Sequence, residues 1–135
     1  MIKTQIEIDR DFYAIVKASD LGKAITGSVY RPEMRPDNSK SEDIIVGLLA
    51  GMDGQQQEGV VLVNVFVPDK AGRGGKYEPD YSRIATLQGY KDALISDCQT
   101  GDYFVTRNRE TERAIAVENH QHCFIIRLNF RRITD

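Results

Sequence analysis

Residues 35–43, RPDNSKSED, gather hydroxyl, amide and carboxylate groups in one short polar stretch. Ser39 or Ser41 as nucleophile with Glu42 or Asp43 as base would outline a hydrolase. The triad logic needs an imidazole beside the serine. The two histidines, His120 and His122, lie far along the chain, and neither serine sits in a G-x-S-x-G elbow. The competing account is structural. Asn38, Ser39 and Ser41 bond to nearby backbone and hold the loop, while Glu42 and Asp43 lead into a strand or pair with an arginine. No catalytic residue is assigned on this reading.

His120-Gln121-His122-Cys123, with Glu118 just upstream, has the look of a metal site, because alternate strand residues share a face. A structural zinc site wants four ligands and no second ligand pair exists, so solvated turn histidines are the better account and no metal is assigned. Residues 72–75, GRGG, match neither the phosphate-binding G-x-x-x-x-G-K-[ST] loop nor G-x-G-x-x-G. The stretch reads as a partner-binding loop carrying Arg73, and no cofactor is expected. Arg107, Arg109, Arg113, Arg127, Arg131 and Arg132 crowd the C-terminal third, but Glu110, Glu112 and Glu118 balance them. No aromatic stacking motif accompanies them, so cross-strand ion pairs serve better than nucleic-acid binding. Cys98 and Cys123, with no partner motif, read as small core hydrophobes of a chain from a reducing cytoplasm.

The totals agree. A chain of 135 residues suits a single domain, 1–135, and a net charge of -2 makes no case for a polyanion partner. No apolar run approaches the ~20 residues that span a bilayer, and the first residues lack the apolar core of a secretory signal. Neither a membrane nor export is expected.

These groups must be positioned by an α+β frame. Asp9 is the expected cap of a first helix starting at Arg10, with Phe12, Ile15 and Val16 on one face. Ser19-Asp20 is the expected cap of a short second helix, stopped by Gly27. Residues 27–31 predict a short strand, and Pro32 and Pro36 hold the following segment out of regular structure. Residues 42–50 and 57–67 predict a hairpin. The second strand is apolar on both faces, so it is expected to be central and covered on both sides. Residues 80–98 predict one amphipathic helix with Asp80 as cap. Residues 103–105 predict a short strand, and 114–118 with 123–133 a second hairpin. In the closing strand, Phe124, Ile126, Leu128 and Phe130 alternate with Ile125, Arg127, Asn129 and Arg131, giving one buried and one wetter face. The expected fold is a mainly antiparallel sheet with the helical segments on one face.

That plan resembles the tail-terminator and tail-completion (head–tail joining) proteins of tailed bacteriophages and prophages. The pieces that carry the likeness are Gly27-Ser28-Val29-Tyr30, the loop with Arg35-Pro36 and Asn38-Ser39, the strand from Glu42, the run Gly59 to Pro68, helix 80–98 and the strand Cys123 to Phe130. The resemblance implies a non-enzymatic virion structural protein that assembles into a ring, often hexameric, and contacts tail-tube or connector proteins through its loops. It would be made in the bacterial cytoplasm and carried into the particle. Arg35, Asn38, Ser39, Glu42 and Arg73 are then the expected partner or intersubunit residues. The alternatives from the residues alone are a small metal- or loop-dependent hydrolase, or a nucleic-acid-binding accessory protein.

Overall fold

The computed structural model describes residues 1–108 and 112–134. The chain opens with helix α1, Gln5–Ala18, and the short α2, Asp20–Ala24. Strands β1, Val29–Tyr30, β2, Asp43–Met52, and β3, Gln56–Pro68, follow. A small pair, β4, Lys70–Ala71, and β5, Tyr77–Glu78, stands apart from the main sheet. Helices α3, Tyr81–Gln88, and α4, Lys91–Asp97, lead to β6, Phe104–Arg107, β7, Ile115–Val117, and β8, Gln121–Ile133. The main sheet runs β1-β2-β3-β8-β6, with β7 also on β8. All its pairings are antiparallel except β1–β2. The α+β reading and both hairpins stand.

The first helix starts earlier than expected. Thr4, not Asp9, is its cap: the Thr4 hydroxyl accepts from the Glu7 N–H at 3.2 Å, and the Glu7 carboxylate accepts from the Thr4 N–H at 3.0 Å. This reciprocal box satisfies two amides that a helix start otherwise leaves unpaired. Asp9 is instead a buried residue on the helix, where its Oδ1 accepts from the Leu48 N–H at 2.7 Å. Ser19 does cap α2, accepting from the Gly22 N–H at 3.1 Å. The helix expected over 80–98 is two helices. Asp80 caps the first, and the chain breaks at Gly89-Tyr90, where the Gly89 N–H reaches back to Ala85 and Thr86.

One face of the sheet forms the core. Ile44 and Val46 of β2, Val61, Val63, Val65 and Val67 of β3, and Phe124, Ile126, Leu128 and Phe130 of β8 meet Ile8, Phe12 and Val16 of α1, Leu21 of α2, Ile84 and Leu87 of α3 and Leu94 of α4. Phe12, Tyr103 and Phe130 form an aromatic knot with ring centroids 4.7 to 5.6 Å apart, in the tilted and edge-on geometries that aromatic quadrupoles favour. Gly59 makes room for that knot, since a Cβ there would lie 2.9 Å from the Phe130 ring and 2.7 Å from the Ala50 carbonyl oxygen.

The opposite face corrects the expectation for β3. The strand is central, but Val60, Leu62, Asn64 and Phe66 are only half-buried. Among the described residues no helix packs there; the long 31–42 loop crosses part of it, with Pro32 over Gly47 and Arg35 over Phe66. The exposed sheet edges are blunted by side chains. Asp9 occupies the Leu48 amide of β2, and the Gln99 amide group both accepts from Val105 N–H and donates to its carbonyl in β6. Unpaired edge groups invite a second strand, and such plugs deny it.

Candidate functional site

The polar loop singled out in the sequence closes on itself as a latch. Asp43, 1% exposed, accepts from the Ser28 N–H at 2.9 Å, from Arg35 Nε at 2.9 Å and from the Ser39 hydroxyl. Arg35 also donates to Gln121 Oε1 at 2.6 Å and to the Ser41 carbonyl at 3.3 Å, while its guanidinium lies 4.1 Å from the Phe66 ring centroid. Gln121 returns a bond to the Ser39 carbonyl at 3.0 Å. Glu42 forms a second knot next door. Its carboxylate accepts from Arg83 Nε at 2.6 Å, Arg83 NH2 at 2.9 Å and the Thr26 N–H at 3.1 Å. The bonds to Glu42 raise the Arg83 pKa further, against the opposing effect of burial.

Arg35, Ser39 and Asp43 therefore come together, but their charges and hydrogen-bonding groups are engaged inside the chain. So are those of Glu42. The Asp43 and Glu42 carboxylates each already accept three hydrogen bonds, and the Ser39 hydroxyl donates to Asp43 rather than to an imidazole. Asn38 is exposed and makes no side-chain hydrogen bond among the described residues, and Arg73 lies in an exposed turn between β4 and β5. Sequence reasoning missed Gln121, Phe66 and Arg83, the long-range members. Arg35 and Ser39, eight and four positions from Asp43, were within local reach.

The two histidines do not converge. His120, at positive φ, stacks on Tyr77 with centroids 3.7 Å apart. His122 shares a 2.6 Å hydrogen bond through Nδ1 with Asp69 Oδ1. An ionised carboxylate only accepts, so Nδ1–H is the donor in that bond. The ring faces a hollow lined by Tyr81, Ile84, Ala85, Gln88, Arg113 and Ala114, and among the described residues this lining holds no serine, threonine or cysteine to act as nucleophile. Among the described residues no group of three or more His, Cys, Asp or Glu side chains could hold a metal ion. Of the predicted arginine-rich third, Arg109 and Glu110 lie outside the described residues. Arg127 pairs with Glu112 at 2.6 Å, but Glu112 lies in the segment before β7, so this is not the expected pair across neighbouring strands.

The remaining feature is the open sheet face beyond the loop. Cross-strand neighbours there form two rows, Ala50–Val60–Asn129–Thr106 and Met52–Glu58–Arg131–Phe104. They line a shallow concavity of about 490 Å³. Its rim is apolar and wet: Met52 is 72% exposed, Phe104 50% and Ile133, one step along the same face, 73%. Arg131 leans away from Glu58 and onto Phe104, 4.6 Å from the ring centroid. Glu58 has no hydrogen-bond or ion-pair partner among the described residues.

No protein-family model matches the chain, and no curated protein compared with it matches either. Among the described residues no helix is long and apolar enough to cross a membrane.

Proposed function

We propose that this chain is a non-enzymatic assembly component, of the tail-terminator or head–tail joining type found in tailed phages and prophages, that works by ring-like self-assembly and protein contacts. The observation that carries the reading is the open end of the sheet, where Met52 and Phe104 stand in water around a shallow concavity and Ile133 is exposed two residues beyond Arg131. Clustered exposed apolar side chains with a polar surround mark protein contact surfaces. Two further features fit. The plugged edges of β2 and β6 turn association away from strand addition and towards faces and loops. The latched loop is held by buried ion pairs, which favours a fixed surface over a mobile catalytic lid. The polar clusters also lack the nucleophile–base–orienter geometry of a hydrolase.

The test is the solution mass by light scattering behind size exclusion, across concentration and salt. A discrete oligomer whose mass falls in the folded Phe104→Asp, Met52→Asp double variant supports the reading. A monomer at every concentration in the presence of candidate tube and connector proteins, or turnover of a hydrolase substrate panel abolished by His122→Ala, overturns it.

A further inference from the structure

One row on the open face carries a pattern that is complementary to its own reverse. The row Met52–Glu58–Arg131–Phe104 runs across β2, β3, β8 and β6 in that order. Read in reverse it is apolar, cationic, anionic, apolar. Laid on its own reverse, it sets Met52 against Phe104, Glu58 against Arg131, Arg131 against Glu58 and Phe104 against Met52. A two-fold axis parallel to the strands and lying between β3 and β8 performs that reversal. We infer that the open face pairs with the same face of a second copy about such an axis, with Glu58 of each copy meeting Arg131 of the other.

Glu58 sits on the central strand, on a face where its cross-strand neighbours are Met52 and Arg131. Its carboxylate has no partner among the described residues, although a guanidinium stands directly across the ladder. Opposite charges at that spacing ordinarily pair. Arg131 lies on Phe104 instead, which leaves both charged groups placed to meet a partner's surface. The apolar ends of the row supply the buried contacts, and the long Glu58 and Arg131 side chains span the concave middle. Twisted sheets stack face to face at about 30°, a crossing that an in-plane two-fold axis bisects. The contact is isologous, the same patch on both copies. It is distinct from any head-to-tail contact that closes a ring. A chain with both contacts builds paired rings, with an even number of subunits.

The inference rests on the self-assembly reading, and charge reversal separates the two. Glu58→Arg alone sets arginine against arginine twice in the pair, and Arg131→Glu alone sets glutamate against glutamate twice. Each is expected to raise the concentration at which pairs form by a hundredfold or more, because like charges facing across an interface cost several kcal/mol. Mixing the two variants restores both contacts, so the mixture pairs near the wild-type concentration, and the double variant does the same alone. Circular dichroism and melting confirm that each variant is folded. Wild-type association that neither variant weakens, or a mixture that stays monomeric, overturns the face-to-face pair and leaves the assembly reading standing. A wild-type chain that never associates, even with tube and connector proteins present, overturns both.

Discussion

Asp43→Asn is the most informative perturbation of the latch. It keeps the shape of the side chain and leaves one oxygen to accept from the Ser28 N–H, now 2.9 Å away. It removes the charge facing Arg35, whose side chain is only 12% exposed. Breaking a buried ion pair by neutralising one partner costs about 3–5 kcal/mol, since the remaining charge stays desolvated. Here Gln121, the Ser41 carbonyl and the Phe66 ring still hold the guanidinium, so the lower end of that range, about 3 kcal/mol, is expected. With a urea slope of about 2 kcal/mol/M for a small domain, the unfolding midpoint falls by about 1.5 M at unchanged slope. Arg35→Met in the same background removes the stranded cation, and the double variant should lose about 1–2 kcal/mol less than the sum of the singles. A midpoint shift under about 0.5 M, or strictly additive losses, would refute the latch as a coupled buried unit.

The remaining predictions are simpler. Burial works to raise the Asp11 pKa, but the hydrogen bonds from Lys3 and Tyr103 and the Lys3 charge outweigh it and hold the carboxyl below its usual value. The stability it contributes is therefore present above its unfolded pKa of about 3.9 and lost as pH falls through the lower folded value. Asp11→Asn should flatten the stability–pH curve below about pH 4, and an unchanged slope in acid denaturation would contradict this. Burial pushes the Cys98 thiol up to about 12 and the Cys123 thiol up to about 11, so neither should react with a disulfide reagent at pH 8 until the chain unfolds. Fast labelling of the native protein would be the contrary result. Gln99→Ala strips both plugs from Val105 and should cost about 1–2 kcal/mol, with faster amide exchange in β6 than in β3. Exchange that stays equal in the two strands would show that Gln99 does not guard this edge.

The hairpins and the buried face of β8 were legible because alternation of period two needs only neighbouring residues to read. Ser19 and Asp80 were legible as caps for the same reason. The first helix was misplaced because two good caps compete within six residues, Thr4 and Asp9, and only packing shows that Asp9 serves the Leu48 amide. The box formed by Thr4 and Glu7 was a signal in the sequence that went unread. The break at Gly89 was hidden by an apolar stripe that runs on through both helices. The uncovered side of β3 was the largest miss. An apolar run says that a face avoids water, not what will shield it, and Leu62 or Phe66 looks the same whether a helix, a loop or a second chain lies above. The latch was legible in part. Arg35, Ser39 and Asp43 are neighbours, but Gln121 reaches them from 86 positions away.

The register of the two longest strands sets the order of events during synthesis. β3 pairs with β8 from Pro68–Gln121 to Gln56–Ile133, so its partner leaves the ribosome roughly fifty to eighty residues later. Closing contacts of that span is slow. Throughout that delay β3 has only β2 beside it, and its valine-rich other edge, Val60 to Val67, stands ready for any extended chain that passes. The finished molecule plugs its edges with Asp9 and Gln99, but the nascent one has no plug for this one. Slower translation over residues 69–120 is therefore expected to lower the yield of correctly closed sheets, by lengthening the time for which that edge stands open.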